Sequence, residues 1–73
     1  MHISLSHSQA QKLLTGNYTF SMLGFSMLVT RLKGNYRNDA SHDTLQKCVE
    51  EINAFLKKYS SLMSADSAIL SEI

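Results

Sequence analysis

Proline and tryptophan are absent from this 73-residue chain, and cysteine occurs once. A chain without proline lacks the residue that breaks helices from within, which suits helices joined by short connections. The single cysteine, Cys48, excludes a disulfide within one chain and favours a reducing, cytoplasmic setting. Chains of this length bury a small core and often gain stability from a second subunit.

A large excess of charge of one sign is also absent. The chain has seven Lys and Arg residues and six Asp and Glu residues, which gives a formal net charge of +1. This balance requires no polyanionic partner. The three histidines, His2, His7 and His42, have no partner at i+3 or i+4 and no second cysteine to complete a zinc set. We therefore expect neither a metal nor another cofactor.

Long hydrophobic runs are missing as well. The longest apolar stretch, residues 20–29, is about half of what a membrane span needs, and Asn17 and Arg31 flank it. The N-terminus has neither a basic start nor an apolar segment, so no signal peptide is expected. The sequence predicts a protein without a membrane-bound segment.

What the chain does contain is helical periodicity, clearest in its third quarter. Apolar residues recur there with a period near 3.6: Leu45, Cys48, Val49, Ile52, Phe55, Leu56 and Tyr59. Asp39 or Ser41 can cap the start of this segment, and Lys57 and Lys58 complement the dipole at its end. The pattern predicts an amphipathic helix over 41–60 with one face on a core.

Segment 19–33 is apolar on two sides when it is projected as a helix. The larger face holds Met22, Phe25, Leu28, Val29 and Leu32, and the smaller one holds Phe20, Leu23 and Met27. A hairpin over 18–29 is the alternative, but Leu23-Gly24 is a poor two-residue turn, and Met and Leu favour helix. We interpret 19–33 as a helix buried on two sides.

Two shorter helices complete the prediction. One covers 6–15, capped by Ser6 or Ser8, and the other starts near Ser64 with Asp66 in its first turn. In the second, Ala65, Ile69 and Ile73 are expected on the core. The predicted fold is a single all-α domain over 1–73, a small up-and-down bundle of two main antiparallel helices flanked by two short helices.

Leu-x-Gly-Asn-Tyr occurs twice, with glycines at Gly16 and Gly34. Each glycine follows a predicted helix, so we expect both to end a helix in the left-handed conformation. The tyrosine two residues later can fold back over the preceding turn.

Residue types used in catalysis occur in patterns that do not support catalysis. Ser-His-Asp at 41–43 is consecutive, whereas a triad is drawn from separate segments. Glu50 and Glu51 point about 100° apart on a helix, so they cannot share a proton. Cys48 lies in the apolar stripe without an adjacent base. We expect a protein that is not an enzyme.

The smaller apolar face of the central helix predicts an interface. Its members, with the glycine that permits close approach, are Phe20, Leu23, Gly24 and Met27. Exposed patches of this kind usually mark partner sites, and we expect a homodimer packed across a two-fold axis, or another protein partner. Alternatively, the terminal helix together with Ile3 and Leu5 covers this face.

A basic corner offers a second functional hypothesis. Arg31, Lys33 and Arg37 surround Tyr36, and no acidic residue precedes Asp39. Cations with an interleaved aromatic can contact phosphates and stack a base. The alternative function is thus a small nucleic-acid-binding regulator, although the same cations also suit the end of a helix.

Overall fold

The computed structural model describes residues 3–59 and 62–73, which form four helices and no strand. In chain order they are α1 (His7–Thr15), α2 (Leu23–Asn38), α3 (His42–Lys58) and α4 (Ser64–Glu72). The predicted all-α bundle of two long and two short helices is confirmed. The predicted end of the third helix at Ser60 lies outside the described residues.

Helices α1, α2 and α3 pack pairwise against one another. Helices α2 and α3 are antiparallel. Gly24, near the start of α2, lies next to Phe55, near the end of α3, whereas Arg31, later in α2, pairs with Glu51, which comes earlier in α3. The largest fully buried apolar side chains come from all four helices: Leu13, Phe25, Leu32, Ile52, Leu56 and Leu70. The apolar stripe of α3 faces this core, as its periodicity predicts.

Two serines begin helices in the predicted way. Ser6 accepts a hydrogen bond from the Gln9 amide while the Gln9 side chain accepts one from the Ser6 amide, which completes a capping box ahead of α1. Ser41 accepts from the Thr44 amide at the start of α3. Both helix starts therefore follow from local sequence.

Helix α2 begins at Leu23 rather than at Thr19, because a tertiary contact holds the preceding residues extended. Its N-cap, Met22, offers no capping oxygen. Instead, the carboxylate of Asp66 accepts hydrogen bonds from the amides of Ser21 (2.7 Å) and Met22 (2.8 Å). Phe20 is thereby placed outside the helix, with its side chain in the core.

Asp66 itself is fully buried, in the first turn of α4. Its position near the N-termini of both α4 and α2 places the carboxylate where two helix dipoles favour an anion. The buried residues of α4 are Asp66 and Leu70. The expectation for Ala65 is wrong, since it is exposed, whereas Ile69 and Ile73 are partly buried against the core.

The two Leu-x-Gly-Asn-Tyr segments differ in structure. Gly16 ends α1, and the Tyr18 ring folds against it, but its backbone is extended (φ −94°, ψ −179°) rather than left-handed. Gly34 lies inside α2 and ends nothing. Within the described ranges no residue has a positive φ. The left-handed prediction is thus wrong at both glycines, and the helix end is wrong at Gly34, because Tyr36 continues the buried face of α2 for another turn.

Replacing Asp66 with Asn should lower the free energy of unfolding by about 1–3 kcal/mol, because an amide offers one acceptor where two backbone donors need partners. Urea unfolding followed by circular dichroism measures this. Glu72→Gln is the matched control, since it removes an exposed carboxylate from the same helix. Equal stability of the two variants would contradict the role given to Asp66.

The two glycines should respond in opposite directions to alanine. A Cβ at Gly34 meets nothing within 4 Å, so Gly34→Ala should raise the free energy of unfolding by about 0.5–1 kcal/mol. A Cβ at Gly16 would lie 2.9 Å from the Lys12 carbonyl oxygen, which belongs to the helix backbone. Gly16→Ala should therefore lower the free energy of unfolding by about 1–3 kcal/mol, measured by the same urea titration. Stabilisation by both substitutions would contradict the close approach at Gly16.

Candidate functional site

An apolar surface lies where the first half of α2 meets the last turns of α3. Leu23 and Met27 are one turn apart on α2, with 71% and 63% of their surface exposed. Gly24 lies beside them, and a Cβ there would meet the Phe55 ring at 3.6 Å. We call this the α2–α3 apolar surface, and its members are Leu23, Gly24, Met27, Leu28, Phe55 and Tyr59.

Contacts between tilted aromatic rings support this surface. The ring of buried Phe25 lies 5.5 Å from that of Phe55, which in turn lies 4.6 Å from that of Tyr59. An open groove of about 350 Å³ runs between Leu28 and these α3 rings. Glu51 and Lys58 border the groove, so opposite charges flank its apolar floor.

The structure divides the four residues predicted as an interface. Leu23, Gly24 and Met27 are all exposed. Phe20 is buried and packs edge-on against Phe25, with the ring centroids 4.8 Å apart. The patch is instead extended by Phe55 and Tyr59, which the α3 periodicity had assigned to the core. Phe55 lies at one edge of the apolar stripe of α3, which was an available signal, and it is only half-buried. Tyr59 lies near the middle of the stripe but is exposed, at the C-terminal end of α3.

The basic corner is also divided, because its residues lie on different sides of α2. Arg31 faces α3 and donates to the Glu51 carboxylate at 2.7 Å, a hydrogen bond that raises the pKa of the Arg31 guanidinium. Arg37 points about 120° away around the helix, towards α1. Lys33 lies on that same side and donates from Nζ to the Gly16 carbonyl oxygen.

Tyr36 belongs to the core rather than to an exposed corner. Its ring is buried, and its hydroxyl oxygen accepts a hydrogen bond from the Gln11 side chain at 3.0 Å. A ring with so little exposed surface is a poor platform for stacking a base from solution. The nucleic-acid hypothesis stays a prediction, and its accessible cations on this side of α2 are Lys33 and Arg37.

Two of the residues weighed for catalysis, Ser41 and His42, have structural partners. Ser41 caps α3, and the imidazole of His42 stacks on that of His7 with ring centroids 5.8 Å apart. Cys48 is buried in the core, where desolvation raises the pKa of its thiol above the usual value. His2 lies outside the described residues.

Among residues 3–59 and 62–73, none of the helices is both long and apolar enough to cross a membrane. The described part of the chain also holds no group of three or more His, Cys, Asp or Glu side chains placed to bind a metal. Comparisons with protein-family models, with curated proteins and with solved structures find no match for this chain.

The raised pKa of Cys48 predicts a poorly reactive thiol. Because the thiolate is the nucleophile, a raised pKa lowers the reactive fraction at pH 7–8, and burial blocks access as well. Alkylation by iodoacetamide at pH 8 should be at least about tenfold slower in the folded protein than in guanidinium chloride. Mass spectrometry measures the modified fraction over time. Equal rates in the two states would contradict a buried thiol.

Proposed function

We propose that this protein is a non-enzymatic interaction module that self-associates as a homodimer through the α2–α3 apolar surface. The observation that carries the proposal is the joint exposure of Leu23 and Met27, at 71% and 63%, beside an apolar groove. Single exposed apolar residues are ordinary on protein surfaces, but contiguous patches are typical of interaction sites.

The apolar character is confined to one end of the outer face of α2. Projected at 100° per residue, that face continues past Met27 with Thr30, Arg31, Gly34 and Asn38, which carry no large apolar side chain. Association would therefore bury the first half of α2 and leave its second half in water. Met27 can adapt its shape to an irregular surface.

Charge supports a second copy of this chain as the partner. A net charge of +1 gives two copies almost no mutual repulsion. A two-fold interface uses the same patch twice, so the Arg31 and Glu51 side chains next to the groove would offer each copy both signs of charge. Such an interface needs complementarity with itself, which a strongly charged surface lacks.

The required area is attainable on a molecule of this size. A standard interface buries about 800 Å² on each partner, roughly a sixth of the 4687 Å² that this molecule exposes. The α2–α3 apolar surface would form its centre, with Lys58 and the Arg31–Glu51 pair at the polar periphery. An apolar centre with a polar periphery is the usual anatomy of such interfaces.

Light scattering over a dilution series tests self-association directly. We expect a mass of about 16 kDa, twice the 8.2 kDa of one chain, that falls towards 8.2 kDa at low concentration. A mass of 8.2 kDa at every concentration would overturn the homodimer.

Substitutions then test which surface is used. Leu23→Asp and Met27→Asp should each yield a monomer, because burying an unpaired carboxylate in the interface is unfavourable. Both side chains are exposed, so the helix content of the monomer should stay unchanged by circular dichroism.

Asn35→Asp is the matched control for these substitutions. It adds the same charge to an exposed position of α2, about 12 Å along the helix from Met27, and should leave the dimer intact. A dimer that survives Leu23→Asp and Met27→Asp would place the interface elsewhere. Unfolding of these variants without any change in assembly would assign both residues to the core.

A further inference from the structure

A second cavity, of about 350 Å³, lies on the other side of α2, where the end of α1 meets the last turns of α2. Its lining includes Leu14, Gly16, Asn17, Lys33, Tyr36 and Arg37. This volume falls in the range of small-molecule sites. It shares no lining residue with the α2–α3 apolar surface.

The charged side chains around this cavity are of one sign. Lys33 and Arg37 are one turn apart on α2, and no Asp or Glu occurs among the lining residues that the structure describes. Like charges at this spacing repel each other and cost the helix a few tenths of a kcal/mol. An anion bound between them would relieve that repulsion.

The two cations are held differently. Lys33 is half-buried and tied to the Gly16 carbonyl oxygen at 2.7 Å, which leaves two of its three ammonium protons for a ligand. Arg37 is exposed and makes no hydrogen bond or ion pair within residues 3–59 and 62–73. A guanidinium in this state can present its planar fork to a carboxylate or a phosphate.

Leu14 and Tyr36 form an apolar wall of the cavity. The Leu14 side chain is buried, and the Tyr36 ring is held from behind by the hydrogen bond between Gln11 and its hydroxyl. A ligand that paired only with Lys33 and Arg37 would leave the accessible parts of Leu14 and Tyr36 in contact with water. The lining therefore fits a molecule with an anionic group at one end and an apolar body at the other.

We propose that this cavity binds a small organic anion, its carboxylate or phosphate lying between Lys33 and Arg37 and its apolar body resting on Leu14 and Tyr36. The proposal is independent of self-association, because Leu23 and Met27 lie in the first half of α2 and neither lines this cavity.

Amide chemical shifts of the ¹⁵N-labelled chain test this with three probes: inorganic phosphate, phenyl phosphate and benzoate. Phenyl phosphate or benzoate should shift the amides of Gly16, Asn17 and Arg37 saturably at concentrations up to about 10 mM. The tighter of the two identifies the preferred anionic group. Inorganic phosphate should bind about tenfold more weakly, because it leaves the apolar wall unused.

Arg37→Gln should weaken binding of the tighter probe about tenfold, because it removes the charge-assisted hydrogen bonds of the guanidinium. Lys47→Gln is the matched control, since it removes an exposed cation from α3 and should leave the affinity unchanged. The dissociation constant of the parent chain should also rise with salt concentration.

Three results would overturn the proposal. Shifts that stay linear for both organic probes would show that the cavity does not bind them. If Arg37→Gln and Lys47→Gln weakened probe binding equally, the loss of affinity would come from the change in net charge and not from a contact in the cavity. A short single-stranded oligonucleotide that shifts the same amides where neither organic probe does would assign these cations to nucleic acid instead.

Discussion

The buried carboxylate of Asp66 determines how the second half of this fold meets the first. It accepts hydrogen bonds from the amides of Ser21 and Met22, at the entrance to α2, while it belongs to the first turn of α4. A buried charge is tolerated only when it is fully hydrogen-bonded, and the dipoles of two helices add to that stabilisation here. Because this contact holds residues 21–22 outside the helix, it also sets where α2 begins.

Three sides of helix α2 lie in three different environments, which explains its unusual composition. One side carries Phe25, Val29 and Leu32 into the core, and another meets α3 at the Phe55 ring. The side towards α1 presents Lys33 and Arg37 to the second cavity. Its outer face is apolar at Leu23 and Met27 and polar further along, where it carries Thr30, Arg31 and Asn38. The two candidate sites are consequences of this arrangement, and they lie on different sides of the same helix.

Local sequence predicted much of the fold because the relevant interactions are local. Ser6 and Ser41 cap helices through bonds that span three residues, and the apolar period of α3 requires only a core on one side. Predictions failed where distant segments decide the outcome. Gly34 resembles Gly16 in its neighbours, yet it lies within a helix because Tyr36 packs on the core and bonds to Gln11. Burial of an aromatic ring outweighs the weak preference of one glycine for a helix end.

By itself, the sequence determined that the chain is all-α, where two of its helices are capped, and that its central helix has more apolar surface than one core contact requires. Only the tertiary structure decided how that surface is divided, with Phe20 in the core and Leu23 and Met27 in solvent. The same holds for the basic corner, where Arg31 pairs with α3 and Arg37 faces α1. The physical reason is that helical periodicity depends on residues three and four apart, whereas exposure depends on which distant segment arrives to cover a face.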